Sequence, residues 1–161
     1  MTTSDSGRER PLPHDPDLEA DEDPAGGPRP VHLTPFFIGL VAIGGAGGSL
    51  ARYGVERLLG TSDGLPVGTL AVNLVGAFAL GALLEWLAIR GSDVAHRRAA
   101  RLLLGTGFLG GFTTYSALAV ESDGLLREGR AGLALVYVLA TVVVGLVASL
   151  AGVLGARAAA R

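Results

Sequence analysis

The 161-residue sequence contains no cysteine, which excludes a disulfide framework and thiolate chemistry. It contains no lysine either, since all thirteen basic residues are arginine. The formal net charge is −2, so the basic excess that marks a nucleic-acid partner is missing. The most informative absence is that of charge over long runs. Residues 30–51, 64–84, 102–120 and 131–156 carry no Asp, Glu or Arg for 22, 21, 19 and 26 positions. About 20 apolar residues span a bilayer core as a helix. Four buried helices of a soluble bundle would need polar faces at helical period, and these runs have none. The sequence therefore reads as an all-α membrane protein with four transmembrane helices, a multi-pass protein of the inner (plasma) membrane.

Residues 1–33 are different material. Eight of the fifteen acidic residues precede Pro24, among prolines and glycines and with almost no large apolar side chain. Such a segment buries too little surface to offset chain entropy and reads as a disordered acidic tail. It lacks the apolar core of a signal peptide. His14 is expected to be solvated, and His32 to lie at the membrane edge. The remainder, 34–157, divides into helices over 35–59, 66–90, 94–122 and 129–157, with connections too short for any extramembrane domain. Nine arginines fall on one side of this topology and four on the other, or six against four without the tail. The positive-inside rule then puts both termini in the cytoplasm.

Glycine recurs inside the spans. Gly44 and Gly48, and Gly107 and Gly111, have the spacing that lets helix backbones approach closely in lipid. Polar residues at membrane depth are costly and point to function. Arg52 closes the first helix, where it either snorkels to the interface or serves a site. Asn73 lies mid-helix in the second, its amide able to bond a neighbouring helix or a passing anion. Tyr137 and Thr141 share one face of the fourth, with Gly145 a turn on. Their hydroxyls either line an ion track or bond back to their own helix. Glu85 and Trp86 read as interfacial anchors, and Glu121 as a cap or pairing partner.

The third helix holds "LGGFTTYSALAVES" (109–122), with adjacent glycines and hydroxyls inside an apolar segment. Two breakers together predict an interruption at 110–114. Non-helical backbone at membrane depth is tolerated where it is buried in protein or lines a cavity. The freed carbonyls can bind a cation, and oxygen-only coordination without a nearby carboxylate suits sodium. Thr114, Tyr115 and Ser116 present donors and a ring edge of positive partial charge, which suits a small anion.

Three motifs, "GGAGGSLARYGV" (44–55), "GTLAVNLVGAFALG" (68–81) and "GTGFLGGFTTYSAL" (105–118), resemble the CrcB/Fluc family of fluoride channels in order and in helix. The resemblance covers residues 35–156. It implies an antiparallel, dual-topology dimer with two narrow pores, passive fluoride export and a sodium ion at the dimer centre. Asn73 would line the pore and Arg52 the vestibule. Carbonyls of Gly110 and Thr113 would hold the sodium, and Tyr137 and Thr141 would form the polar track of the last helix. The third track position falls at Gly145, which has no hydroxyl. The family pattern TTFSTF reads here Thr113-Thr114-Tyr115-Ser116-Ala117-Leu118, so the first ring survives as tyrosine and the second position is Leu118. Some members pair with a different paralogue, so both a homodimer and a heterodimer are open. A multidrug-type four-helix exporter is the rival, but it resembles proteins with a glutamate in the first helix, and 30–51 contains none. A non-conducting partner subunit is the other rival. No metal-ligand cluster, nucleophile–base pair or phosphate loop points to an enzyme.

Overall fold

A computed structural model describes residues 20–22, 28–30, 34–91 and 95–161. The remainder of the acidic tail, His14, His32 and most of the 91–93 connection lie outside the described residues. Ala20–Glu22 (β1) and Pro28–Pro30 (β2) pair antiparallel, with Asp21 opposite Arg29. They belong to a unit, Met1–Pro35, distinct from the helical unit Phe36–Arg161.

The helical unit is built from α1 (Pro35–Leu59), α2 (Val67–Ile89), α3 (Ala95–Ala100), a π-helical stretch (Arg101–Leu109), α4 (Gly110–Phe112), α5 (Tyr115–Arg127) and α6 (Ala131–Ala159). The segments from α3 to α5 run on as one interrupted span. Four segments are long and apolar enough to cross a membrane: Pro35–Leu59, Val67–Ile89, His96–Arg127 and Ala131–Ala159. Their outer surfaces expose Ile43, Leu50, Val75, Val143, Leu146 and many other large apolar side chains, as a lipid-facing surface requires.

The third span runs further than the expected 94–122. Arg127 Nε donates to Asp123 Oδ2 one turn back at 2.7 Å, a spacing that supports helix. The chain leaves the helix only at Gly129, whose φ is +74°. Between α1 and α2, Ser62 and Leu65 exchange backbone hydrogen bonds around Asp63 and Gly64. Both central residues have positive φ (51° and 83°), the combination a two-residue hairpin turn demands. Arg130 Nη2 donates to the Asp63 carbonyl at 2.7 Å, tying this turn to the start of α6.

Small residues set how closely the spans approach. Gly44, Gly45 and Gly48 of α1 face Gly107, Phe108 and Gly111 of the third span, backbone against backbone. The two small-residue pairs of the sequence are therefore the two halves of one crossing. On the far side of α2, Gly152 of α6 rests against Phe78 and Ala82. In lipid, where packing drives association, this closeness replaces the hydrophobic force of a soluble core. The apolar cluster that remains, Leu118, Leu125, Ala134 and Tyr137, joins α5 to α6.

Candidate functional site

The third span breaks at Thr113 and Thr114, not at the glycines before them. Thr113 (φ −73°, ψ 155°) and Thr114 (φ −147°, ψ 126°) are extended. Gly110, by contrast, is helical at φ −64°, ψ −35°. The glycine pair reads as a breaker in sequence, but Gly111 serves the crossing with α1. A Cβ there would come within 3.0 Å of the Gly45 Cα. The π-helical stretch ahead of the break was not legible either, and the weak helix formers Gly105 and Gly107 are its one signal.

Asn73 holds the break open. Its Nδ2 donates to the Thr114 carbonyl at 2.9 Å, and its Oδ1 accepts from the Thr114 N–H at 2.7 Å. In a continuous helix that N–H would bond to the carbonyl of Gly110, four residues back. The next half-helix is capped by the same threonine, because Thr114 Oγ1 accepts from the Ala117 N–H at 3.2 Å. In a helix the Ala117 N–H would have bonded to the Thr113 carbonyl. The two carbonyls expected to hold a cation are thus among those whose usual helical donors are drawn elsewhere. Thr113 Oγ1 bonds back to the Leu109 carbonyl at 2.9 Å and takes no part.

Arg52 does more than reach the interface. Its Nε donates to the Gly111 carbonyl at 3.3 Å, which Ser49 Oγ also approaches at 3.4 Å. Its Nη1 lies 3.6 Å from Glu56 Oε1. Gly111 would otherwise lack a partner, since its helical donor lies beyond the break. Thr114 Oγ1 and Ser116 Oγ are 3.2 Å apart, and Ser116 is exposed. Tyr115 has 82% of its surface exposed.

The structure brings Asn73, Thr114, Ser116 and Arg52 to the break and sets Leu118, Tyr137 and Thr141 apart from it. Leu118 is buried against α6. Thr141 Oγ1 bonds back to the Tyr137 carbonyl at 2.8 Å, one of the two alternatives open in sequence. Tyr137 donates its hydroxyl to Glu121 Oε2 at 2.6 Å, and Thr69 donates to Glu121 Oε1 at 2.7 Å. Sequence reasoning noted Glu121 at a helix end but not this trio from three helices. Its signal was a lone carboxylate just beyond an apolar run. At the opposite end, Glu85 pairs with Arg157 at 2.7 Å and Trp86 lies 3.8 Å beneath the Arg90 guanidinium. Among the described residues no three His, Asp or Glu side chains converge on a metal-binding point.

Fold and site together define a small multi-pass membrane protein whose polar groups converge on a broken helix. The particular family follows from comparison. Residues 39–153 match the model of the family described as CrcB-like protein, Camphor Resistance (CrcB), and the chain belongs to that family. It is similar to the fluoride-specific ion channel FluC 2 of Leifsonia xyli, 47% identical over 133 residues that cover 82% of this chain and 92% of the relative. It is also similar to the fluoride-specific ion channel FluC of Paracoccus denitrificans, 50% identical over 113 residues, 70% and 87% of the two chains. The FluC 1 of Cutibacterium acnes is 48% identical over 112 residues, 69% and 78% of the two chains.

Proposed function

We propose that the protein is a fluoride-selective channel subunit through which fluoride leaves passively, relieving its toxicity. The observation that carries this reading is the likeness to relatives named fluoride-specific ion channels across nearly their whole length. The site chemistry agrees with it. A side-chain amide has two N–H donors, and the Thr114 carbonyl takes only one of those on Asn73. The second, with the Thr114 and Ser116 hydroxyls, can replace part of the shell of a small, strongly hydrated anion. The ion path we assign has Arg52, Asn73, Thr114, Tyr115 and Ser116 at the break, and runs on past Leu118, Tyr137 and Thr141 between α5 and α6. Liposomes reconstituted with the protein should release fluoride at least about tenfold faster than chloride, read with ion-selective electrodes. Equal rates for the two anions from a verified folded assembly would overturn the proposal.

The assembly we propose is an antiparallel dimer. Tyr115, exposed beside the break, would be covered by the second subunit. The carbonyls of Gly110 and Thr113 fit a sodium ion at the dimer centre, because both are deprived of their helical donors. Bound there, sodium would supply a fixed positive charge between the subunits. Replacing it with a large organic cation throughout purification should shift the protein toward monomer by size-exclusion chromatography. An unchanged dimer with unchanged flux would count against a structural sodium. Leu118, where the family carries a ring, favours a second reading in which the partner is an oppositely inserted paralogue. A terminal tag accessible from one side only, with flux restored by co-expressing a paralogue, would support that reading. Tags on both sides with full flux from the lone chain would exclude it.

A further inference from the structure

The end of the helical unit that carries Arg90, Arg97, Arg98, Arg101 and Arg157 contains a cavity of about 270 Å³ lined by Leu84, Leu87, Ala88, Gly91, Arg97 and Arg101. It lies between the C-terminal turn of α2 and the start of the third span. None of its residues belongs to the break, to Asn73 or to the Tyr137 trio. A water takes about 30 Å³ of liquid volume, so the space holds far more than one bridging water.

Its two walls differ in kind. Leu84, Leu87 and Ala88 make one side apolar. Leu84 is also exposed on the outer surface, so the apolar wall continues into the surface that meets acyl chains. Arg97 and Arg101 make the other wall basic. Arg97 Nη1 donates to the Arg90 carbonyl, yet Arg97 Nε is buried with no hydrogen-bond partner among the described residues. Arg97 lines the cavity all the same, and a guanidinium has further N–H donors to offer an anion there. Arg90 is turned the other way, over the Trp86 ring, an interfacial pairing that sets this level at the headgroups.

We infer that this cavity is a binding site for an anionic phospholipid, with the phosphate on Arg97 and Arg101 and the acyl chains along Leu84. A free phosphate shares the headgroup chemistry, but it would leave the apolar wall and its continuation into the lipid surface without a role. The inference concerns the outer surface and does not depend on the anion the protein conducts.

The test is native mass spectrometry of the intact protein in detergent, with phosphatidylglycerol and phosphatidylcholine of matched chains supplied together. The wild type should retain phosphatidylglycerol preferentially. Arg97→Gln and Arg101→Gln should each weaken that retention about five-fold. Arg157→Gln, a basic residue at the same end but outside the cavity, should leave it unchanged. Equal retention of the zwitterionic lipid overturns the site, as does wild-type retention in both cavity variants. An equal loss in Arg157→Gln would show diffuse surface charge instead. Inorganic phosphate at matched concentration should not displace the lipid, and full displacement would reassign the cavity to a free anion. If Arg97→Gln does not fold, because it also supports the Arg90 carbonyl, Arg101→Gln and the wild-type competition still decide.

Discussion

Asn73→Asp is expected to abolish fluoride release from liposomes, reducing it by about a hundredfold or more. The substitution keeps an oxygen that can accept from the Thr114 N–H but removes the Nδ2 donor. A carboxylate oxygen then faces the Thr114 carbonyl at the distance where the amide made a 2.9 Å hydrogen bond. Two acceptors in contact repel, and leaving a buried acceptor unsatisfied costs about 1–3 kcal/mol. The carboxylate also places negative charge on the anion path we propose, in a medium of low dielectric where such charge acts strongly. Asn73→Leu separates the two effects. It leaves both Thr114 groups unpaired but adds no charge, so it should lower thermal stability more than Asn73→Asp while repelling the ion less. Fluoride-electrode traces and unfolding temperatures measured on both variants check this ordering. Flux within a few-fold of wild type for Asn73→Asp would remove Asn73 from the path.

Gly152→Ala is expected to lower the yield and unfolding temperature of the protein sharply, whereas Gly155→Ala, three residues on, should not. A Cβ at Gly152 would lie 2.8 Å from the Ala82 nitrogen and closer still to the Phe78 carbonyl. Both contacts are backbone, which cannot rotate away. Separating α2 from α6 to admit one methyl gives up packing along the whole crossing, and overpacking of this kind costs about 1–3 kcal/mol. At Gly155 a Cβ meets nothing within 4 Å. There alanine should stabilise by up to about 1 kcal/mol through helix propensity. Thermal unfolding in detergent distinguishes the two, and equal behaviour would show that α6 shifts freely on α2.

The number and order of the four membrane spans could be read directly, because such spans announce themselves by the absence of charge. Gly44/Gly48 and Gly107/Gly111 were recognisable as packing pairs, although nothing in their spacing says that they meet each other. The interruption of the third span was legible at 110–114, but not that it falls on the two threonines rather than on the glycines. Adjacent glycines are ambiguous between a break and a close crossing. Which one prevails depends on α1, sixty residues away, and on whether a side chain such as Asn73 stands ready to take over a freed N–H. Likewise Thr141 could have faced an ion track or its own helix, and only the three-dimensional surroundings choose. The Glu121–Tyr137–Thr69 trio joins residues up to 68 positions apart, a relation with no local trace in a single sequence.

The pairing of Asn73 with Thr114 has a mechanical consequence. A carboxamide is chemically a peptide unit, so α2 offers the third span one residue's worth of antiparallel strand pairing in the middle of the bilayer. Breaks in transmembrane helices often serve as hinges, but bending α5 about Thr113–Thr114 would have to shear both bonds at once, leaving an amide and a carbonyl unpaired at membrane depth. The interruption therefore behaves as a welded joint. Any motion beside it must be carried by rotating side chains, while the backbone of the break stays still.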